Sequence, residues 1–273
     1  MNKEQYYKLS ISVITLLIAV FLFSNFIVWK INWLLSLFAL CFGIVILLIV
    51  EFYLRVQQKI SVCFNRETRR RGYYSAEGQD RWIVEDIFDY KKNCFFVELG
   101  AADGIHDSNT FILEKDYGWN GVCIEAESSI FKKLKSNRNC ICVNACVDGC
   151  QKKVKFTDGK YLTGGIIDRD TNNKNLINCN NFEYKNTVTL ADIFTEYSVP
   201  GVIDYFSLDV EGAEYRILKD FPFDRYKFLA MSIERPNNDL IKLLGDNGYI
   251  KVGFNGKDKL FIHESFNKHR NKG

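Results

Sequence analysis

The ten residues from Phe95 to Gly104, FFVELGAADG, constrain the fold of this chain more than any other stretch. Three large apolar residues, Phe95, Phe96 and Val97, run into an acid, Glu98, and such a run suits a strand buried on both faces of a parallel sheet. Gly100 and Gly104 bracket a tight turn where backbone can approach another group closely. Ser108, Asn109 and Thr110 then offer helix-capping side chains ahead of Phe111, Ile112 and Leu113, which predicts a helix. Strand, glycine turn and helix make the opening unit of a nucleotide-binding α/β fold.

The acids narrow the ligand. A dinucleotide site uses G-x-G-x-x-G, with backbone N–H groups aimed at a pyrophosphate. Here the turn reads Glu98-x-Gly100-x-x-x-Gly104, with a second acid at Asp103. Two carboxylates repel a pyrophosphate and disfavour a nicotinamide oxidoreductase. They suit a cationic ligand bearing an ammonium and a sulfonium, as S-adenosylmethionine does. A side chain placed at Gly100 is expected to intrude on that ligand.

Downstream, the chain alternates strands and helices. Gln79 to Tyr90 has helical spacing at Trp82, Ile83, Ile87 and Phe88. A second strand runs from Gly121 to Glu125, whose acid stands where these folds place a carboxylate on ribose hydroxyls. The alternative for Glu125 is an acid before a helix that follows Ser128. The third strand, Cys140 to Asn144, leads to Ala145, Cys146, Val147 and Asp148, where an adenine ring is expected. Gln151 to Asn186 is rich in Asn, Gly and Lys, with strand-like pieces at 154–156 and 165–167. Otherwise it reads as a long loop, and long loops in compact domains are commonly lids. Ile203 to Leu208 is the fourth strand, ending at Asp209, Val210, Glu211 and Gly212. Phe228 to Ile233 is the fifth, ending at Glu234. Tyr249 to Phe254 and Lys259 to His263 read as a hairpin across a turn-rich connection. The sum is a seven-stranded mixed sheet closed by an antiparallel hairpin.

Two stretches upstream carry no charge, Ser10 to Trp29 and Ile31 to Val50. Each is about 20 residues, the length of a bilayer-spanning helix. Trp29 and Trp33 flank Lys30 in the intervening turn, as at a membrane interface. Basic residues gather before the first run and after the second, so both ends, with the α/β domain, are expected on the cytoplasmic side. The expected organisation is a transmembrane hairpin over 1–54, a basic linker over 55–72, an α/β domain over 73–264 and a polar tail over 265–273. Arg69, Arg70 and Arg71 suit either anionic headgroups or a solvated linker.

A net charge of +3 with no interleaved aromatics gives no nucleic-acid pattern. Nine cysteines, an odd number with several in predicted strands (Cys94, Cys123, Cys140, Cys142), read as free buried thiols of a reducing compartment. Cys140-x-Cys142 and Cys146-x-x-x-Cys150 lack the paired spacing of a zinc site, and no metal site is expected from them.

Taken together, Ser75-Ala-Glu-Gly-Gln79-Asp80-Arg81-Trp82, VELGAADG, Ser108-Asn109-Thr110 with Leu113-Glu114, Gly118-Trp119-x-Gly121-x-Cys-Ile-Glu125 and Leu208-Asp-Val-Glu-Gly-Ala-Glu214 resemble the FkbM-type methyltransferases. The resemblance runs from about Tyr74 to His263. It implies a class I S-adenosylmethionine-dependent methyltransferase fold, acting on hydroxyl oxygens of sugars or natural products. By position, Glu98, Gly100, Ala102 and Gly104 would line the methionine end of S-adenosylmethionine and Glu125 would hold its ribose; Asp103, the second acid of the turn, is a further cofactor-binding candidate. Ala126 stands where many members have proline, and with Ala145 and Cys146 it would complete the cofactor site. Asp209 and Glu211 would sit beside the sulfonium.

An alcohol acceptor benefits from a base that takes its proton. Asp209, Glu211 and His106 are the candidates. Asp209 has a second reading as the cap of a helix beginning near Gly212, and Glu234 is expected to serve as a structural partner of Arg235. The functional expectation is a membrane-anchored O-methyltransferase for a sugar, glycan or small-molecule acceptor. A membrane scaffold that keeps the fold without turnover is the alternative.

Overall fold

The apolar runs form the strands that their composition requires. In a computed structural model, which describes residues 14–22, 40–52, 72–157 and 164–266, β1 (Phe95–Leu99) lies at the centre of a sheet. β2 (Asn120–Glu125) and β3 (Ile141–Asn144) extend it on one side, both parallel. β8 (Val202–Leu208) and β9 (Lys227–Glu234) extend it on the other, also parallel. β11 (Asp258–His263) then joins β9 antiparallel, and β10 (Tyr249–Asn255) closes the edge as its hairpin partner. The order β10-β11-β9-β8-β1-β2-β3 is the seven-stranded mixed sheet of a class I methyltransferase-like fold.

Side chains alternate across the sheet. Phe96 and Tyr205 point to one face and pack with Ile83, Leu113 and Trp119. Val97, Leu99, Phe206 and Phe228 point to the other and pack with Phe194, Leu218 and Leu244. With the upstream helical stretches 14–22 and 40–52 numbered α1 and α2, the helices that cover the two faces are α3 (Gln79–Arg81), which continues as a π-helix over Trp82–Ile87, then α4 (Phe111–Tyr117), α5 (Ser128–Asn137), α6 (Leu190–Glu196), α7 (Glu214–Lys219) and α8 (Asn238–Asp246). α6 starts on a capping box between Thr189 and Asp192, and α8 starts where Asn237 accepts the Leu240 N–H at 2.8 Å.

The strand-like pieces at 154–156 and 165–167 are strands of a second sheet, and part of the stretch read as loop, 183–188, adds a further strand. β4 (Cys146–Val147), β5 (Lys153–Thr157), β6 (Gly165–Ile166) and β7 (Glu183–Val188) associate in the order β4-β7-β5-β6. Val154, Phe156, Ile166 and Cys146 form its small core, while Lys153, Glu183, Tyr184 and Asn186 stay in water. One narrow apolar face is enough for such a sheet when a larger domain supports it.

Thr68–Gly273 forms one compact unit and Met1–Glu67 another. In the latter the described residues 14–22 and 40–52 are helical. Leu16, Val20, Leu22, Phe42, Leu48, Ile49 and Phe52 are exposed there. A Cβ at Gly43 would stand 3.5 Å from Leu17 Cδ2, so the two segments touch at a residue without a side chain. Among the described residues no helix is long and apolar enough to cross a membrane. The two expected 20-residue spans therefore appear only as these shorter helical stretches. The rest of both runs, with Trp29, Lys30, Trp33, Arg69, Arg70, Arg71 and the tail beyond residue 266, lies outside the described residues.

Candidate functional site

At the carboxyl ends of β1, β2, β8 and β9 opens a cleft of about 300 Å³. Its wall begins at the glycine turn. Gly100 has φ +88°, and a Cβ there would lie 1.8 Å from the Asp209 carbonyl oxygen. The Asp209 N–H donates to the Leu99 carbonyl at 3.0 Å, and the Gly100 and Ala101 N–H groups both donate to the Ile124 carbonyl. The turn is thus clamped between β2 and the end of β8. The space a side chain at Gly100 would take belongs to Asp209, so the expectation that it would meet ligand first is corrected. Gly104 (φ +81°) is likewise a packing glycine, with Leu134 and Arg138 against its open side.

Glu98 lines the cleft but is already engaged. It accepts from Ser108 Oγ (3.0 and 3.2 Å), the Asn109 N–H (2.7 Å) and Thr110 Oγ1 (2.7 Å). Arg138, buried beside it, donates to Glu98 at 3.4 Å and to Glu114 at 2.6 Å. Burial raises the Glu114 pKa, yet Arg138, the Asn139 N–H and Cys140 together hold it below its ordinary value. Glu98 therefore fixes the backbone after the turn. Ser108 Oγ also accepts the Thr110 and Phe111 N–H groups, which starts α4. The consequence for the site falls on Asn109. Its Nδ2 donates to Ser207 Oγ at 2.8 Å, while its buried Oδ1 has no partner and the residue lines the cleft.

Glu125 faces the cleft from the end of β2. It accepts the Ala102 N–H at 3.0 Å and the Glu127 N–H at 2.7 Å, and burial pushes its pKa up. One hydrogen bond per oxygen leaves acceptor capacity on each. Asp103 turns aside: it accepts the Ile105 and His106 N–H groups and meets His106 Nδ1 at 2.6 Å. Burial opposes its ionisation, but these bonds hold its pKa below the usual value. His106 reaches the cleft rim with its side chain 78% exposed. Ala126 and Cys146 pack at the small sheet's core instead, and Ala145 follows β3 with its N–H on the Glu125 carbonyl. Neither Asp103, Gly104, Ala126, Ala145 nor Cys146 is among the cleft-lining residues, whereas Glu98, Gly100, Ala102, His106, Glu125, Asp209 and Glu211 are.

The cleft floor is acidic. β8 and β9 are in register at Leu208 and Ile233, so Asp209 and Glu234 emerge side by side, and Asp258 on β11 pairs with Glu234. Asp209 is exposed to the cleft, and desolvation by the surrounding protein, together with Glu234, Asp258 and Glu211, raises its pKa well above the carboxylate range. Asp258 is pushed up to about 7, by burial above all, while Gln79 Nε2 donates to it at 2.7 Å. Glu211 adopts φ +57° and accepts from Asn172 Nδ2 at 2.9 Å, which ties the small sheet's loop to the floor. Asp209 does not cap a helix: α7 begins at Glu214 with Ala213 as its N-cap and no side-chain cap bond.

Glu214 holds the loop that carries Asp209 and Glu211. Its carboxyl accepts the Val210 N–H at 3.2 Å and the Gly212 N–H at 3.1 Å. Burial pushes its pKa up from 4.5 to about 7. The folded protein thus keeps a proton that the unfolded chain has lost, and stability falls as pH rises between those values. Glu214→Gln accepts the same bonds without a charge. Its stability relative to wild type is expected to rise by about 3 kcal/mol between pH 4.5 and pH 8. Urea denaturation of both proteins across that range checks this, and a pH-independent difference would contradict it.

The comparisons with known proteins bear on this cleft. A family model described as the methyltransferase FkbM domain matches residues 98–251, more than half of the chain. The chain belongs to the FkbM methyltransferase family. The matched segment is narrower than the resemblance read from the sequence, yet it runs from Glu98 past Glu234 and so contains the glycine turn, Glu125 and three of the floor acids. Gln79 and Asp258 lie outside it. No curated protein matches. Among solved structures, the METTL16 MTase domain is 14% identical with TM-score 0.38, covering 68% of this chain and 66% of its own, just under two thirds. A methyltransferase from Pyrococcus furiosus is 12% identical with TM-score 0.37, covering 76% and 98%. The precorrin-6y C5,15-methyltransferase from Geobacter metallireducens GS-15 is 11% identical with TM-score 0.36, covering 67% and 85%. At such scores the likeness says nothing of this chain's substrate.

Three cleft residues had been given other parts by the sequence. Asn109 read only as a helix start, Glu234 as the partner of Arg235 and Asp258 as a turn residue. Glu234 does meet Arg235, at 3.3 Å, but through Oε1 alone.

Proposed function

We propose that this FkbM-family chain is an S-adenosylmethionine-dependent O-methyltransferase, acting on a hydroxyl of a sugar, glycan or small-molecule acceptor. The observation that carries this reading is the cleft that Gly100, Asn109, Glu125 and Asp209 of the family-matched segment line together. An acid-lined cleft with an unpartnered acceptor at Asn109 Oδ1 fits a ligand that is cationic and rich in N–H and O–H donors.

When bound, S-adenosylmethionine supplies an electrophilic methyl group on a positively charged sulfur. Glu125, with a free acceptor position on each oxygen, receives ribose hydroxyls. Asn109 Oδ1 takes an ammonium N–H, and the floor acids balance the positive charge. Asp209 stands at the end of β8, where it can orient an acceptor hydroxyl and take its proton. Holding the two reactants in line supplies much of the rate, and proton removal supplies a further part.

Membrane attachment belongs to the same proposal. Two uncharged runs of about 20 residues and the exposed apolar side chains at 14–22 and 40–52 support a helical hairpin that anchors the enzyme. The basic flanks support a catalytic domain on the cytoplasmic side.

Calorimetric titration of the full chain tests the cofactor. S-adenosylhomocysteine is expected to bind one per chain and NAD not at all, with Glu125→Ala about tenfold weaker for the former, a loss of about 1.4 kcal/mol. Binding of NAD without any response to S-adenosylhomocysteine would overturn the reading.

A further inference from the structure

The cleft floor holds one group that methyl-donor binding leaves unexplained. Glu234 is only 7% exposed, and its Oε2 is buried with no hydrogen-bond partner. A lone buried carboxylate oxygen costs free energy unless something meets it. The nearby cations do not. Arg235 reaches Glu234 Oε1 at 3.3 Å and Glu211 Oε2 at 3.8 Å, and Lys257 reaches the same Oε1 at 3.9 Å.

Oε2 belongs to a carboxylate with close neighbours. Asp209, Glu211 and Glu234 each present an oxygen, and these oxygens all lie within 4.8 Å of one another. Oxygens on opposite sides of a bound cation stand about 4.2 Å apart around Mg²⁺ and about 4.8 Å apart around Ca²⁺. The trio is therefore already close to coordination spacing. The surrounding charge agrees. Four carboxyl groups, Asp209, Glu211, Glu234 and Asp258, line this floor against two basic side chains, Arg235 and Lys257.

We infer that Asp209, Glu211 and Glu234 form a binding site for one divalent cation. All three donors are carboxylate oxygens, which selects a hard cation of the Mg²⁺, Mn²⁺ or Ca²⁺ type over one that seeks sulfur or imidazole. The site is independent of the cysteine pairs that the sequence set aside, and it is made by strand register, which brings Asp209 beside Glu234. Three carboxylates leave coordination positions open toward the cleft, for water or for an oxygen of the acceptor. Cation binding is read without turnover, so it stands or falls apart from methyl transfer.

Manganese provides the test. The full-length chain in detergent at pH 8 is titrated with Mn²⁺, and free Mn²⁺ is followed by electron paramagnetic resonance. One Mn²⁺ per chain is expected, displaced by excess Mg²⁺ or Ca²⁺. Glu234→Gln and the more exposed Glu211→Gln are each expected to bind at least about tenfold more weakly, with folding verified by circular dichroism. Asp168→Asn, which touches a separate acidic group around Arg216, is expected to bind as wild type does. Absence of stoichiometric binding to folded wild type overturns the site. Wild-type affinity in whichever glutamate variants fold overturns it equally.

Discussion

Gly100→Val, and Gly100→Ala almost as severely, is expected to destabilise the catalytic domain and abolish S-adenosylhomocysteine binding. The reason is steric and local. The residue sits at φ +88°, where a side chain is strained, and its Cβ would lie 1.8 Å from the Asp209 carbonyl oxygen, which is backbone and cannot swing away. Either the glycine turn or the end of β8 has to move, and each carries cleft residues. A loss of about 3 kcal/mol or more is expected, a fall in Tm of about 6–12 °C for a domain of this size. Scanning calorimetry reads the first effect and ligand titration the second. A Gly100→Ala protein with wild-type Tm and wild-type affinity would show that the contact is not rigid.

That prediction marks where sequence reasoning stops. The strands of the main sheet were legible because Phe95 to Val97, Val122 to Ile124, Tyr205 to Leu208 and Phe228 to Ile233 are near-continuous apolar runs, broken only by Ser207 and Ser232, as strands covered on both faces require. The glycine turn was legible too, but not what it abuts, since the partner lies more than a hundred residues downstream. β7 escaped notice because Glu183 to Val188 keeps mostly polar side chains toward water and only Thr187 is fully buried. Glu98 looked free for a ligand because nothing in the sequence announces Arg138 as its partner. Glu234 looked like half of an ordinary ion pair with Arg235. Its place beside Asp209 and Asp258 is a product of strand order and register, and neither can be read from spacing along the chain.

Asp209→Asn carries the largest expected effect on activity. With α7 starting at Glu214, the capping explanation for Asp209 is gone. Asparagine keeps the side chain's shape, accepts no proton and carries no charge. The loss is therefore expected whether the carboxylate takes the acceptor's proton or holds a cation. Removing a carboxylate whose ionisation is opposed by burial and by Glu234, Asp258 and Glu211 also relieves repulsion, so the variant is expected to be at least as stable as wild type. A protein that is sound by calorimetry and dead in turnover separates the functional role from a structural one.

The decisive measurement is transfer of a radiolabelled methyl group from S-adenosylmethionine to acceptors in a cell extract, by wild type and by Asp209→Asn side by side. Wild type is expected to label an acceptor through an oxygen, and Asp209→Asn to do so roughly a hundredfold more slowly or worse. Folded wild type that labels nothing, or a folded Asp209→Asn that labels as fast as wild type, would contradict the assignment of this cleft as a methyl-transfer site built around Asp209.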